Sequence, residues 1–297
     1  LAGMALTVQR VQGEFFNIID ELPALTHKVT KLIMEASDGQ PSTIQQVQAA
    51  AAEIEQAALA EGARALTSYI ALQIDRELNH PDEEVRKEAA GEVALLTPIV
   101  KAFITDNGWI ATSEAMQVYG GHGYISEWGM EQYVRDARIN MIYEGTNTVQ
   151  SLDLLGRKIL MDNGAKLRAF GEKIKNFVEE NGLDEQLSEF VTPLGELGEK
   201  VTKLTMEIGM KAFTNQDEVG AAAVPYLRVV GHLVFSYFFA QMAKIALEKK
   251  DSGDKFYESK LHTARFYFAR LYPETAMLIR QARSGASNLL ALDADLF

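Results

Sequence analysis

A carboxylate in a glycine-containing turn is the feature of this sequence best placed to do chemistry. The run Tyr143-Glu144-Gly145-Thr146 lies between two apolar residues and a helix predicted to begin near Thr146. Thr146 suits an N-cap, because its hydroxyl oxygen can accept a hydrogen bond from a free helical N–H. The helix start offers further N–H groups to an anionic or polar ligand. Burial beside the apolar residues would make Glu144 a stronger base, whereas a solvated loop glutamate is the alternative from this residue alone.

Three clustered glycines form the second such feature. Gly120, Gly121 and Gly123 follow a long predicted helix, and glycine lets a backbone turn sharply or approach a ligand closely. They do not form a dinucleotide fingerprint, because a helix precedes them and the GxGxxG spacing is not met. A plain turn between two helices is the alternative interpretation of these glycines alone.

The composition excludes several other kinds of site. The 297 residues include 29 Lys plus Arg against 41 Asp plus Glu, a net charge of −12. This argues against a general nucleic-acid binder, because such a protein needs a basic surface. There is no cysteine, so disulfides and thiolate chemistry are excluded. The five histidines show no metal-binding spacing such as HExxH, and we predict no metal site.

The elements that position these residues are predicted to be helices throughout, in an all-α fold. Residues 11–37 form an amphipathic stretch that Pro23 bends or divides, and Ser42 or Thr43 caps a helix that extends to about Leu78. No run of short alternating strands with turn signals occurs. Later helices are predicted from Asp82 to about Tyr119, over 131–139, from about Asn147 to Met161, and in four or five segments divided near Asn181-Gly182, Asn215–Asp217, Asp251–Asp254 and Pro273.

The longest apolar stretch, Val229 to Leu247, is predicted to be a buried helix. Polar residues such as His232 and Lys244 interrupt it, which favours a core helix over a membrane span. No signal peptide is recognised at Leu1 and there is no initiator Met, which suggests a fragment or a trimmed product. A cytoplasmic location is expected.

Four elements in a fixed order resemble the C-terminal helical domain of acyl-CoA dehydrogenases. They are Gln117 with the glycine cluster, Arg135-Asp136-Ala137, the IYEGT run and Gln150, within AMQVYGGHGYISEWGMEQYVRDARI and MIYEGTNTVQSLDLLGRK. The resemblance covers about residues 50–160, and residues 161–297 resemble the helical extension of a mainly bacterial branch that includes methylmercaptopropionyl-CoA dehydrogenases. We therefore predict an unplaced helical segment over 1–48, an antiparallel helical bundle over 49–160 and a second helical unit over 161–297.

The resemblance implies a reaction and a set of site residues. The reaction is FAD-dependent α,β-dehydrogenation of an acyl-CoA thioester to a trans-2-enoyl-CoA, with Glu144 as the α-proton base and N5 of FAD as the hydride acceptor. The backbone N–H of Glu144 is implied to help polarise the thioester carbonyl, and Tyr143 and Gly145 are implied to line the acyl side. The implied cofactor-binding residues are Gln117, Gly120, Gly121, Gly123, Thr146, Asn147 and Gln150.

The resemblance also implies partners. Gln117, Gly120 and Gly121 match positions that reach the FAD of a neighbouring subunit, which implies a homo-oligomer (a dimer or tetramer), and an electron-transfer flavoprotein is the implied acceptor. Arg135 and Asp136 are predicted to form a structural ion pair. The family's β-domain is not visible in this sequence, so the isolated chain is expected to be inactive. Two alternatives stay open: an acyl-CoA oxidase that uses oxygen, and a non-catalytic helical scaffold derived from the family.

Overall fold

The computed structural model describes residues 44–291 together with His27, Lys28, Lys31 and Asp295. Within these residues every regular element is a helix and no strand occurs, which confirms the all-α prediction. Most of the segment over 1–48, including the stretch over 11–37 with its bend at Pro23 and the cap at Ser42 or Thr43, lies outside the described residues.

Two long helices form an antiparallel hairpin. Helix α1 covers Ile44–Asn79 and helix α2 covers Glu83–Val118. The chain reverses over 80–82, where Asp82 caps α2 by accepting a hydrogen bond from the backbone N–H of Glu84 over 2.9 Å. Both helices and the break between them agree with the prediction, because proline and a capping aspartate mark such a boundary locally.

The elements that follow contain the predicted site residues. Helix α3 covers Met130–Asn140, after two 3₁₀ turns, and helix α4 covers Asn147–Leu152. Helix α4 continues directly as a π-helical segment, Asp153–Leu160. The predicted helix over 147–161 is therefore right in extent. Its change to the wider π winding, with i to i+5 hydrogen bonds, was not predicted.

Six further helices complete the described chain. A second π-helical segment, Tyr267–Leu271, continues the fourth of them. The breaks lie where asparagine, aspartate, glycine and proline predicted them, because these residues stop helices through their local backbone preferences. The helices are α5 Ala165–Asn181, α6 Ser188–Thr214, α7 Asp217–Glu248, α8 Lys255–Phe266, α9 Glu274–Arg283 and α10 Ser287–Leu290.

Helix α7 is the centre of the fold. It packs against α1, α2, α4, α6, α8 and α9, and a single apolar core joins helices from both sides of residue 160. At Gly231, a Cβ atom would lie 2.5 Å from the ring of Phe103 in α2, so the absence of a side chain lets the two helices approach closely. The core therefore fixes α2 and α7 relative to each other beneath the predicted site.

Helix α7 is also long and apolar enough, by length and composition, to cross a membrane, and no other helix in the described part of the chain meets that test. Its most apolar window is 67% buried within the protein. Inside that helix, His232 is buried and its Nδ1 lies 3.0 Å from the hydroxyl oxygen of Tyr267 in the second π-helical segment. This packing is that of a core helix.

Candidate functional site

Glu144 occupies an unusual backbone conformation. Its φ angle is 53°, in the left-handed region, and that of the following Gly145 is 87°. Glycine adopts such an angle without cost, whereas a side chain in this region costs about 1–3 kcal/mol and persists only where the surroundings hold it. The turn that presents the predicted base is therefore one that neighbouring groups must stabilise.

Hydrogen bonds from Gln150, Val149 and Asn147 help to hold this turn. Gln150 donates from Nε2 to the carbonyl oxygen of Glu144 over 3.2 Å. Thr146 accepts at Oγ1 a bond from the backbone N–H of Val149 over 3.4 Å, which confirms the predicted N-cap. The backbone N–H of Asn147 donates to the carbonyl oxygen of Met141 over 3.1 Å. Gln150 thus closes the turn and Thr146 begins α4 directly behind it.

Glu144 lies at the surface of the described chain. Its side chain is exposed, as are Gly145 and Thr146, and Tyr143 is half-buried. The predicted burial of Glu144 is therefore wrong for this chain. The reason is that its apolar neighbours face outward as well, with Ile142 48% exposed and Val149 49% exposed.

The side-chain amide of Asn147 is bound to helix α2. Its Oδ1 accepts a hydrogen bond from Nζ of Lys101 over 2.7 Å. Its Nδ2 lies 2.6 Å from Oδ1 of Asp106, 3.0 Å from Oγ1 of Thr105 and 3.3 Å from the carbonyl oxygen of Ala102. Both the backbone and the side-chain donors of Asn147 are used within the chain. Its predicted contact with FAD stays a prediction that this geometry does not favour.

Two charged residues beneath the turn, the buried Lys101 and the half-buried Asp106, were not predicted. Lys101 is 1% exposed; burial lowers its pKa to about 8, while the negative charges of Asp106 and Glu144 act in the opposite direction. Burial raises the pKa of Asp106, against the hydrogen bond from Asn147 and the positive charge of Arg228. The only sequence signal was a lysine inside the apolar run PIVKAFI, with an aspartate five residues later.

The charged network continues into the C-terminal extension. Arg228 in α7 donates to both carboxylate oxygens of Glu274 in α9, over 2.8 and 2.9 Å from Nη2. His232 Nε2 lies 3.0 Å from Glu274 Oε2. Burial raises the pKa of Glu274, but the hydrogen bonds from His232 and Arg228 outweigh it and lower the pKa to about 2. Burial also lowers the pKa of His232. These residues stabilise the packing of α7 and α9 behind α2.

The predicted glycine cluster divides into open and packed positions. A Cβ atom added at Gly120 or at Gly121 would meet no atom within 4 Å. Gln117 is exposed. A Cβ at Gly123 would lie 2.6 Å from the carbonyl oxygen of Met116. Gly120 and Gly121 thus leave the backbone accessible to a ligand, whereas Gly123 is required for packing. Its predicted role in cofactor binding stays a prediction.

The predicted ion pair between Arg135 and Asp136 is wrong. Neighbouring residues on a helix point to different faces, so their side chains do not meet. Asp136 instead accepts a hydrogen bond from Nε2 of Gln132, one turn earlier on α3, over 2.7 Å.

A large apolar groove of the described chain does not include the predicted site residues. This groove, of 1860 Å³, lies between the first π-helical segment and helices α5, α6 and α7, and its lining includes Met206 and Phe213. Among the residues that the structure describes, no group of three or more His, Asp or Glu is arranged to hold a metal ion. The candidate site is therefore an exposed turn on a rigid support.

Two family models match the chain. The model described as "Acyl-CoA dehydrogenase, C-terminal domain" matches residues 35–160, and the model described as "Acetyl-CoA dehydrogenase C-terminal like" matches residues 170–293. Together they account for most of the chain. The chain belongs to the acyl-CoA dehydrogenase family.

Curated relatives share the same segment. The 3-methylmercaptopropionyl-CoA dehydrogenase of Ruegeria pomeroyi is 33% identical over 226 residues, which are 73% of this chain and 37% of that protein. The broad-specificity linear acyl-CoA dehydrogenase FadE5 of Mycobacterium tuberculosis is 29% identical over 231 residues, which are 73% of this chain and 38% of that protein. The predicted resemblance is thus confirmed, and the chain spans less than two fifths of the length of these relatives.

Solved structures share the fold. An acyl-CoA dehydrogenase from Bacillus anthracis, complexed with FAD, superposes with a TM-score of 0.65 at 18% identity, over 90% of this chain and 48% of that one. Acyl-CoA oxidase-1 from Caenorhabditis elegans, complexed with FAD and ATP, superposes with a TM-score of 0.59 at 12% identity, over 95% of this chain and 49% of that one. The helical fold is common to both kinds of enzyme and does not distinguish them.

Proposed function

We propose that this chain supplies the catalytic base of an FAD-dependent acyl-CoA dehydrogenase. The reaction removes the α-proton and a β-hydrogen from an acyl-CoA thioester and leaves a trans-2-enoyl-CoA. The observation that supports this most directly is the left-handed conformation of Glu144, held by Gln150 at the surface. A carboxylate kept in such a conformation points to a function, because stability alone favours glycine at this position.

In this proposal Glu144 acts twice. Its carboxylate accepts the α-proton, and its backbone N–H donates to the thioester carbonyl, which makes the α-carbon more acidic. Gly145 has no side chain to obstruct the substrate, and the half-buried Tyr143 lines the acyl side. When bound, FAD accepts the β-hydrogen as a hydride.

The residues present fit part of an FAD site. The open backbone at Gly120 and Gly121 and the exposed Gln117 allow a ligand to approach from outside. We assign these three residues to the FAD of a neighbouring copy in a homo-oligomer, and Thr146 and Gln150 to the FAD beside Glu144. An electron-transfer flavoprotein is the proposed acceptor.

The exposure of Glu144 indicates that further residues complete the site. General-base catalysis at a carbon acid needs the carboxylate beside the substrate and away from bulk water, and the described residues leave Glu144 uncovered. The relatives are much longer than this chain. We propose that the flavin platform and the cover of the site come from outside these 297 residues.

The test is product formation by the flavin-containing enzyme that includes this segment. Acyl-CoA substrates of graded length are supplied with an electron-transfer flavoprotein, and enoyl-CoA is measured. Enoyl-CoA with electrons passed to that flavoprotein supports the proposal. Peroxide formed in step with product in air indicates an oxidase instead. No product from any acyl-CoA contradicts the proposal and favours a non-catalytic scaffold.

A further inference from the structure

Lys101 is a lysine in a buried position, which is energetically unfavourable for a charged group. It lies in the middle of α2 with 1% of its surface exposed, and an isolated buried ammonium is strongly disfavoured. Helix α2 alone does not require it, because apolar residues of similar volume often stabilise a core as well as a buried charge does. Its presence therefore calls for a role besides packing.

The contacts of Lys101 point to the turn. Its hydrogen-bond acceptor is Oδ1 of Asn147, 46 residues later in the sequence. The charged groups that act on its ammonium are Asp106, in the same helix, and Glu144, in the turn. Asp106 in turn lies near Arg228 of α7 and also responds to the charge of Arg138 in α3. Lys101 thus connects helix α2 to the turn that contains Glu144, the residue that we propose as the base.

Asn147 transmits this contact to Glu144. It is the first residue of α4 and follows Glu144 by three positions, and its backbone N–H closes the turn onto Met141. Both ends of its side-chain amide are held by α2. A displacement of Asn147 would therefore move the segment in which Glu144 adopts its left-handed conformation.

We propose that Lys101 is a positioning residue, which acts through Asn147 to hold the turn that presents Glu144. Its ammonium keeps the amide of Asn147 in one orientation, and that orientation fixes the start of α4. The effect of Lys101 on catalysis rests on the proposed function of Glu144, whereas its effect on the conformation of the turn does not.

Hydrogen–deuterium exchange of the 297-residue chain tests directly whether Lys101 holds the turn. In Lys101→Met, which keeps the unbranched aliphatic part of the side chain and removes the charge and the donor, amides over 144–150 should exchange about tenfold faster. Amides in the centre of α7 should keep their rates. Asn147→Ala should produce the same local change, and the double variant should add little to either. Lys87→Met is the matched control, because Lys87 lies on the same helix and pairs with Glu83 and Glu84 at the surface.

Two results would overturn the proposal. Unchanged exchange over 144–150 in Lys101→Met would show that the ammonium does not hold the turn. An equal acceleration in the turn and in α7 would show that Lys101 serves only global stability. If Lys101→Met does not fold, the same comparison is made with Asn147→Ala, where unchanged exchange over 144–150 contradicts the role of this contact.

The flavin-containing enzyme provides a second readout. Lys101→Met should lower kcat about tenfold and leave KM for the acyl-CoA within about twofold, because the substrate surface is intact and the base is misplaced. A change confined to KM contradicts the positioning role. If Glu144→Gln proves active while the exchange experiment succeeds, the proposed function fails and the structural role of Lys101 stands.

Discussion

Arg228 Nη1 lies 3.9 Å from Oδ2 of Asp106, and this contact joins the C-terminal extension to the helix beneath the candidate site. Asp106 also accepts the hydrogen bond from Asn147, which begins helix α4 behind the turn. On its other side Arg228 is held by Glu274. The extension thus has a physical connection to the turn that presents Glu144, through α2.

Glu274→Gln should lower the free energy of unfolding by about 2 kcal/mol near neutral pH, because it weakens charge-assisted hydrogen bonds from Arg228 and His232. The pKa of Glu274 in the folded chain, about 2, lies below its ordinary value of 4.5. A carboxyl with a depressed folded pKa stabilises the protein above its unfolded pKa and loses that contribution as pH falls towards its folded pKa. The difference between wild type and variant should therefore be constant near neutral pH and shrink as the pH falls from about 5 towards about 2, as measured by urea unfolding.

Glu258→Gln is the control for that experiment. Glu258 is exposed and lies 3.9 Å from His262, one turn away on the same helix, so its removal should change the stability by less than about 0.5 kcal/mol. If Glu274→Gln behaves like this control, or if its effect does not change with pH, the bonds of Glu274 with Arg228 and His232 do not stabilise the fold as described.

Alanine substitution of two glycines in α7 should change the free energy of unfolding in opposite directions. Gly231→Ala places a methyl group 2.5 Å from the buried ring of Phe103 and should cost about 1–3 kcal/mol. Gly220→Ala meets no atom within 4 Å and should stabilise the helix by up to about 1 kcal/mol. Urea unfolding of both variants checks this. Equal effects of the two substitutions would show that α2 and α7 do not approach as closely as described.

Much of the helical frame could be predicted from sequence, because its boundaries depend on local chemistry. Asp82 caps α2, and Gly164, with a φ of 74°, lies in the turn between the π-helical segment and α5, where its residue type indicated a break. The support of the site could not be predicted in the same way. The bond from Lys101 to Asn147 spans 46 positions, and neither residue's local pattern indicates the other. The outward orientation of Ile142 likewise depends on what tertiary packing leaves uncovered.

The glycine cluster offers a test of assembly. In the 297-residue chain, Gly123→Ala should destabilise the fold by about 1–3 kcal/mol, because the new Cβ meets the backbone at Met116. Gly121→Leu should change it by less than about 0.5 kcal/mol, because no atom lies within 4 Å of the new Cβ. In the flavin-containing oligomer the same Gly121→Leu should reduce both the flavin content and the mass by light scattering. An oligomer of normal mass with full flavin would refute the assignment of Gly121 to a neighbour's cofactor.

The 297-residue chain by itself should be folded, colourless and inactive. Most of its helices contribute to one apolar core, so a strongly helical far-UV spectrum is expected. Hydride transfer needs the reacting atoms held about 3–3.5 Å apart, and the described residues leave Glu144 exposed. Absorbance of the purified protein after incubation with FAD, and an assay for enoyl-CoA, check this. A yellow preparation whose flavin is reduced by an acyl-CoA would mean that this chain completes the site without help.

The most direct measurement is anaerobic reduction of the enzyme's flavin by acyl-CoA in the variant Glu144→Gln. The amide keeps the shape of the side chain but cannot accept the α-proton. We expect acyl-CoA binding to persist while flavin bleaching slows by about 10²- to 10⁴-fold. Glu131→Gln, at a half-buried glutamate in the first turn of α3, should bleach at the wild-type rate. Bleaching of Glu144→Gln at the wild-type rate would contradict the assignment of Glu144 as the base.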